Sequence, residues 1–278
     1  MKPSEPAKRP SFRETEHPAL FYKESRNEKE VFRAAFAARV PLLLTGPTGC
    51  GKTRLVEHMA ERLERPLYTV SCHDDMTSSD LVGRFLVHGG EVEWIDGPLT
   101  RAVREGALCY LDEVIEARRD TLAVLHSLTD HRRSLYLDRI NEHVPAADGF
   151  MLVCSYNPTS RSGLKEMKPS FRQRFVSLDL DYLEEEDEAS VVAVETGVSD
   201  AVAGQLVRVA TTLREAAREG THEPPSTRTL VTAARLVVEG LEPTAAIHVA
   251  ILEPLLTGGV VDTALRELIA ALLPRGAQ

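Results

Sequence analysis

The stretch Pro41-Leu42-Leu43-Leu44-Thr45-Gly46-Pro47-Thr48-Gly49-Cys50-Gly51-Lys52-Thr53 decides the fold. Residues 41–45 are a short apolar run that stops at a glycine-rich turn, and helical spacing resumes over 52–63. A strand, a glycine loop and a helix in that order open an α/β fold. Gly46 to Thr53 satisfies G-x-x-x-x-G-K-[ST] at every position. The glycines let the chain curl so that successive backbone N–H groups face phosphate oxygens, and the following helix adds the positive end of its dipole. Lys52 is placed to reach the β- and γ-phosphates of ATP, and Thr53 to offer its hydroxyl to Mg2+. The eight residues Gly46, Pro47, Thr48, Gly49, Cys50, Gly51, Lys52 and Thr53 are the nucleotide-binding candidates.

Outward from this loop, further buried-strand candidates lie at 67–71, 107–111, 150–155 and 175–180, with helical patterns between them. That alternation predicts a parallel sheet with crossover helices. Residues 28–38 also have helical spacing, with Val31, Phe32 and Phe36 on one side, and residues 1–25 read as a flexible arm. Residues 83–97 (GRFLVHGGEVEWIDG) alternate around Gly89-Gly90 and read as a β-hairpin; 134–144 give a second, weaker one. Past Leu180 the character changes. LEEEDE at 183–188 should open a helix, where carboxylates suit the positive end of the dipole. An Ala-, Leu- and Val-rich helical pattern then runs to the end, broken near Gly197, 223–225, Pro243 and Gly258-Gly259. The chain thus divides into an arm (1–25), an α/β core (26–182) and a small helical domain (183–278).

The apolar run at 107–111 ends in Asp112-Glu113, which brings two carboxylates to the C-terminal edge of the sheet beside the phosphate loop. Asp112 is suited to hold Mg2+ through its water shell, and Glu113 to polarise the attacking water. A solvated strand end has the same look, but a position downstream of a phosphate loop favours the catalytic reading. Asn157 follows the next strand, placed to align that water; Asn157-Pro158 is equally a common turn starter. Arg172 and Arg174 precede the last strand as surface charges or as an arginine that completes a neighbour's site in a ring, where such a finger is worth ~10³–10⁵ in rate. Arg228 starts a helix of the second domain, either as ordinary helix-start chemistry or as a lid arginine over the γ-phosphate.

The 278 residues carry 33 Lys and Arg against 42 Asp and Glu, a formal net charge of −9, with 43% hydrophobic residues. A globular chain with one or two cores fits these values. The negative balance disfavours stable nucleic-acid binding. No apolar run reaches the ~18 residues of a membrane span, and the polar, Pro-rich start has no secretory core, so a cytoplasmic protein is expected. Cys50, Cys72, Cys109 and Cys154 are widely spaced, which suits reduced thiols. Cys72-His73-Asp74-Asp75 lacks a second cluster that would complete a metal site.

Taken together, these residues resemble the AAA+ ATPase superfamily. GPTGCGKTRLVEHMA, SCHDDMTSSDLVGRFL, WIDGPLTRAVREGALCYLDEV and LKEMKPSFRQRF narrow the likeness to the CbbQ/NorQ subfamily of its MoxR branch, from about residue 26 to the C-terminus. Pro158-Thr159-Ser160-Arg161 departs from the Gly and Tyr many relatives carry there, leaving Asn157 in register. The resemblance implies a five-stranded parallel sheet of order 5-1-4-3-2, a C-terminal helical lid, and a homohexamer with ATP at subunit interfaces. It puts Lys52, Asp112/Glu113, Asn157, Arg174 and Arg228 in the Walker A, Walker B, sensor 1, arginine-finger and sensor 2 slots. It makes 83–97 an insert in helix 2 and 134–144 the hairpin before sensor 1, both facing a central pore, with Phe85, Leu86, Val87 and Trp94 as candidate pore contacts. It further implies a remodeller working with a von Willebrand factor A domain adaptor. Overall likeness favours the CbbQ side, which with a CbbO-like adaptor reactivates Rubisco blocked by tight-binding sugar phosphates. The alternative is NorQ-like maturation of nitric oxide reductase; an alternative of another class is a nucleic-acid-stimulated motor.

Overall fold

Alternate residues of the central strands feed two different apolar clusters, which is what a sheet covered on both faces requires. The computed structural model describes residues 20–158, 167–218 and 224–257. β1 (Leu42–Thr45) sends Leu43 to one face and Leu42 and Leu44 to the other. β2 spans Leu67–Ser71, and a hairpin of β3 (Gly83–His88) and β4 (Glu91–Asp96) follows it. In β5 (Leu108–Asp112), Cys109 and Leu111 join Leu43, while Leu108 and Tyr110 join Leu42. A second hairpin pairs β6 (Ser134–Leu137) with β7 (Glu142–Pro145). β8 (Met151–Tyr156) splits its residues in the same way as β5, and β9 (Val176–Asp179) completes the set.

The five core strands are parallel in the order β2-β5-β8-β1-β9. Counting only these five in chain order and reading from the β9 edge gives 5-1-4-3-2, as expected. α1 (Glu28–Ala37) and α2 (Lys52–Arg62) lie on one face, with Phe32, Leu55, Val56 and Met59 buried there. α3 (Ser78–Val82) and α4 (Pro98–Glu105) pack on the other through Leu81, Leu99 and Val103.

Two crossovers differ from the helical expectation. Between β5 and β8 the chain makes 3-10 turns at Val114–Glu116 and Thr121–Leu125 before the second hairpin. Val114, Leu125 and Leu128 still reach the core, so the apolar spacing is satisfied by short turns. Among the described residues, the β8–β9 connection holds only the four-residue α5 (Pro169–Arg172).

The second unit has its own core. α6 (Glu185–Thr196), α7 (Asp200–Arg218) and α8 (Thr227–Val238) pack with α9 (Pro243–Ile247), a π turn at His248–Leu252 and α10 (Glu253–Thr257). Val192, Leu206, Ala210, Leu213, Leu230, Ala233, Ile247 and Ile251 fill its centre. α6 ends where Gly197 takes φ +74, the conformation glycine adopts most cheaply. The break expected at Gly258-Gly259 lies outside the described residues.

Residues 20–25, grouped in the sequence with a flexible arm, are held along the core. The Leu20 amide donates to Glu61, the Leu20 carbonyl lies 2.8 Å from His58 Nδ1, and the Tyr22 hydroxyl donates to Glu28. Residues 1–19 lie outside the described residues. No helix among the described residues is long and apolar enough to cross a membrane.

Candidate active site

The loop after β1 and the carboxyl ends of β5 and β9 open onto one cleft of about 780 Å³, closed by α6 and α8; Asn157, after β8, does not line it and reaches it through Thr48. Lys52, Thr53, Asp112, Glu113 and Arg228 line it, as do loop residues 48–51. The close turn of the loop is built on glycine. At Gly46 (φ +143) an added Cβ would sit 2.3 Å from the Leu180 carbonyl oxygen; at Gly49 (φ +70) it would sit 2.5 Å from Ser226 Cβ. The first contact seats the loop against the end of β9, and the second seats the start of α8 on the loop. Lys52 is buried, and its ammonium donates to the carbonyls of Gly46 and Pro47 at 2.8 and 2.9 Å. Burial pushes the Cys50 thiol above its usual range, against a smaller pull from Lys52.

The acidic pair is tied into a hydroxyl network. Tyr110 and Ser155 both donate to Asp112 Oδ1, at 2.8 and 2.5 Å, and the Tyr110 hydroxyl lies 3.3 Å from Thr53 Oγ1. One phenol therefore spans the two side chains suited to Mg2+. Hydroxyl and carboxylate oxygens fit a hard divalent cation. Glu113 takes a left-handed backbone (φ +54) that turns it away from the strand direction, while its N–H donates to Ser155 Oγ. Burial raises the Glu113 carboxyl above its ordinary value; the nearby Lys52 opposes this and Asp112 adds to it. A carboxylate of raised basicity, beside a phosphate loop, is suited to accept a proton from water. Asn157 is buried, and its side-chain amide donates to Thr48 Oγ1 at 3.0 Å.

Two expected arginines stand elsewhere. Neither Arg172 nor Arg174 lines the cleft of its own chain. Arg174 donates to the His126 carbonyl at 2.8 Å and pairs with Asp130 at 3.4 Å, while Arg172 is exposed at the end of α5. The hairpin candidates are also divided. Phe85 faces Trp94 and Val87 faces Val92 across the ladder, so these four share one side of the pleat, and Leu86 opposite Glu93 is on the other. Phe85 and Trp94 pack edge to face at 5.3 Å, and Trp94 is partly buried against the core, whereas Val87 is 75% exposed. His73, Asp74 and Asp75 bring ligand atoms within 4.8 Å of one another on an exposed loop, away from the cleft lining.

Sequence reading missed several participants. Tyr110 had a signal, because it sits two residues before Asp112 on the same side of a strand. Tyr22 and Arg235 line the cleft from segments read only as arm and helix, and Arg54 bridges from α2 to Glu195 of α6.

Phosphate loop, acidic strand end, polar amide and helical lid on a 5-1-4-3-2 sheet define a P-loop ATPase of the AAA+ type. An AAA domain (dynein-related subfamily) matches residues 41–175, and a CbbQ/NirQ/NorQ C-terminal domain matches residues 188–272. The chain is 53% identical to Protein NorQ of Paracoccus denitrificans, over 91% of this chain and 94% of that one. It is 50% identical to Protein CbbQ of Hydrogenophilus thermoluteolus, over 84% of this chain and 88% of the other. The chain belongs to the CbbQ/NirQ/NorQ family of AAA+ ATPases. It is an enzyme that binds and hydrolyses ATP. Its fold is also similar to that of NtrX from Brucella abortus in complex with ADP, with TM-score 0.59, 15% identity, and coverage of 92% of this chain and 60% of that one.

Proposed function

We propose that this ATPase is the motor of a protein-remodelling assembly: a cytoplasmic homohexamer that binds ATP and Mg2+ at subunit interfaces and works through a von Willebrand factor A domain adaptor. The observation that carries the ring is the placement of charge. Lys52, Glu113 and Arg228 converge on one cleft, while Arg172 and Arg174 lie outside it in the same chain. A half-buried arginine outside its own cleft, tethered by Asp130 and the His126 carbonyl, suits completion of a neighbour's site.

Each residue then has a step. The loop N–H groups and Lys52 hold the β- and γ-phosphates. Thr53 and Asp112 would hold Mg2+, which when bound would supply positive charge to the phosphates. Glu113 accepts the proton of the water that attacks the γ-phosphorus, and Asn157 orients that water. Arg174 supplies positive charge in trans, and Arg228 reports the γ-phosphate to the lid. The exposed apolar side of the β3–β4 hairpin, with Phe85, Val87 and Val92, suits client or adaptor contact in the pore.

For the client we retain Rubisco blocked by sugar phosphates, released with a CbbO-like adaptor. Nitric oxide reductase maturation stands beside it, favoured by the 53% identity to Protein NorQ. The test is capture of tagged Glu113→Gln with ATP from the native host. An adaptor with Rubisco subunits is the expected result; nitric oxide reductase components would transfer the client, and nucleic acid would overturn the remodelling class. Ring cooperation is read by mixing Arg174→Ala with Lys52→Ala, each inactive alone. Partial recovery of hydrolysis supports the trans arginine, and none assigns the finger elsewhere, with Arg172→Ala the next variant.

A further inference from the structure

We infer that Tyr182 and Arg214 are positioning residues that join the phosphate loop to the lid, so that Thr48 links the amide of Asn157 to the helix bearing Arg228. The inference rests on the roles proposed above for Asn157 and Arg228.

Its starting point is a carboxylate with no solvent at all. Glu188, in the first turn of α6, is 0% exposed. An ionised carboxylate there must be paired and fully hydrogen-bonded. Arg214 of α7 meets it through both Nη atoms, one on each carboxylate oxygen, at 2.7 and 2.8 Å, and Thr227, the first residue of α8, donates its hydroxyl at 2.5 Å. A third guanidinium N–H, on Nε, donates to the Pro225 carbonyl just before α8. This cluster locks α6, α7 and the start of α8 together. Arg228 is the next residue.

The same guanidinium reaches the core. Its carbon lies 3.7 Å from the centre of the Tyr182 ring, close contact for a cation over an aromatic face. Tyr182 belongs to the connection between β9 and α6, the covalent hinge between core and lid. Its hydroxyl donates to the Thr48 carbonyl of the phosphate loop at 3.0 Å. The Thr48 side chain in turn accepts from Asn157. Thr48 is thus held from both sides: by the Asn157 amide through its hydroxyl, and by the hinge residue Tyr182 through its carbonyl.

A purely structural cluster would need none of the last three contacts, since Thr227 and Arg214 already satisfy Glu188. Their consequence is directional. When the Asn157 amide turns towards a γ-phosphate or its water, Thr48 loses that donor, and the Tyr182 hydrogen bond then holds Thr48 beside the Gly49–Ser226 contact. ATP and ADP then differ in how firmly Arg228 is placed.

Tyr182→Phe tests this with the fold intact, because it removes only the hydroxyl. Arg214→Ala would strand a buried carboxylate and confound the result. The readout is the ratio of affinities for fluorescent ATPγS and fluorescent ADP, with kcat, KM and the thermal midpoint alongside. We expect the ratio and kcat to fall about two- to tenfold, the worth of one hydrogen bond, with ADP affinity and thermal midpoint held. Tyr182→Leu, which also removes the stack, should fall further. In an Asn157→Ala background the Tyr182→Phe effect on the ratio should disappear. An unchanged ratio in Tyr182→Phe, or a full additive effect in the double variant, overturns the relay alone. Asn157→Ala with wild-type hydrolysis would overturn the relay together with the assigned role of Asn157.

Discussion

The two walls of the ATP cleft are made in different ways. On the core side, the lining groups follow β1 and β5, strands whose apolar residues are buried on both faces, with Asn157, after β8, behind Thr48. On the lid side, Arg228 hangs from a helix whose start is held by charged and hydroxyl groups, Glu188, Arg214 and Thr227. Apolar packing is non-directional and resists local change because interiors are close-packed. Hydrogen bonds are directional, few, and exchangeable for other partners. Both units thus have packed interiors, but the start of α8, which carries Arg228, is held in addition by buried polar bonds that can be remade.

Three measurements sharpen or break this contrast. The largest effect is expected from Glu113→Gln, which should lower hydrolysis by ~10²–10⁴ while leaving ATP binding and thermal stability in place. Because burial raises the carboxyl in the wild type, its rate should decline as pH falls through a value above the ordinary 4.5, and the residual rate of the variant should lack that limb. A variant that melts early would show that the core wall depends on its polar groups after all. Next comes Glu188→Ala, which leaves a charge on Arg214 without its buried partner. The lid should lose ~3–5 kcal/mol, seen as an early thermal transition ahead of the core. A single unshifted transition would contradict the contrast. The smallest effect belongs to Arg104→Ala. Arg104 ties α4 to Asp96 and Glu142 on the two hairpins, but these groups are partly exposed. The cost should stay within ~0.2–1 kcal/mol and shrink with added salt, with hydrolysis unchanged.

How legible all this was in the sequence follows from the range of each interaction. The phosphate loop could be read because its geometry is local: glycines at fixed offsets, a strand before and a helix after. Asp112-Glu113 and Asn157 could be read because each ends an apolar run, and parallel strands bring their ends to one edge. The sheet order came through the family resemblance, since no run of residues states which strand lies beside which. The Glu188–Arg214–Tyr182 system was opaque for the same reason. Glu188 looked like one more acid in an N-terminal turn, and only the packing of three helices makes it solvent-free. The pleat likewise separates Leu86 from Phe85 and Val87, neighbours in a list of apolar residues but on opposite sides of a ladder. The fixed segment at 20–25 was hidden at its start, where Leu20 contacts α2 far along the chain, although Tyr22 and Ser25 bond the nearby Glu28 of α1.

The tip of the β3–β4 hairpin has a practical side. Gly89 and Gly90 both take positive φ, +61 and +90, and an added Cβ at either would meet nothing within 4 Å. A tight turn with open space around it is where foreign sequence is best accepted. A short peptide epitope or a single fluorophore spliced there would sit outside the cleft lining, and, with the hairpin in the proposed pore, would report or obstruct what passes it. It would give the molecule a handle at the far end of an existing stalk.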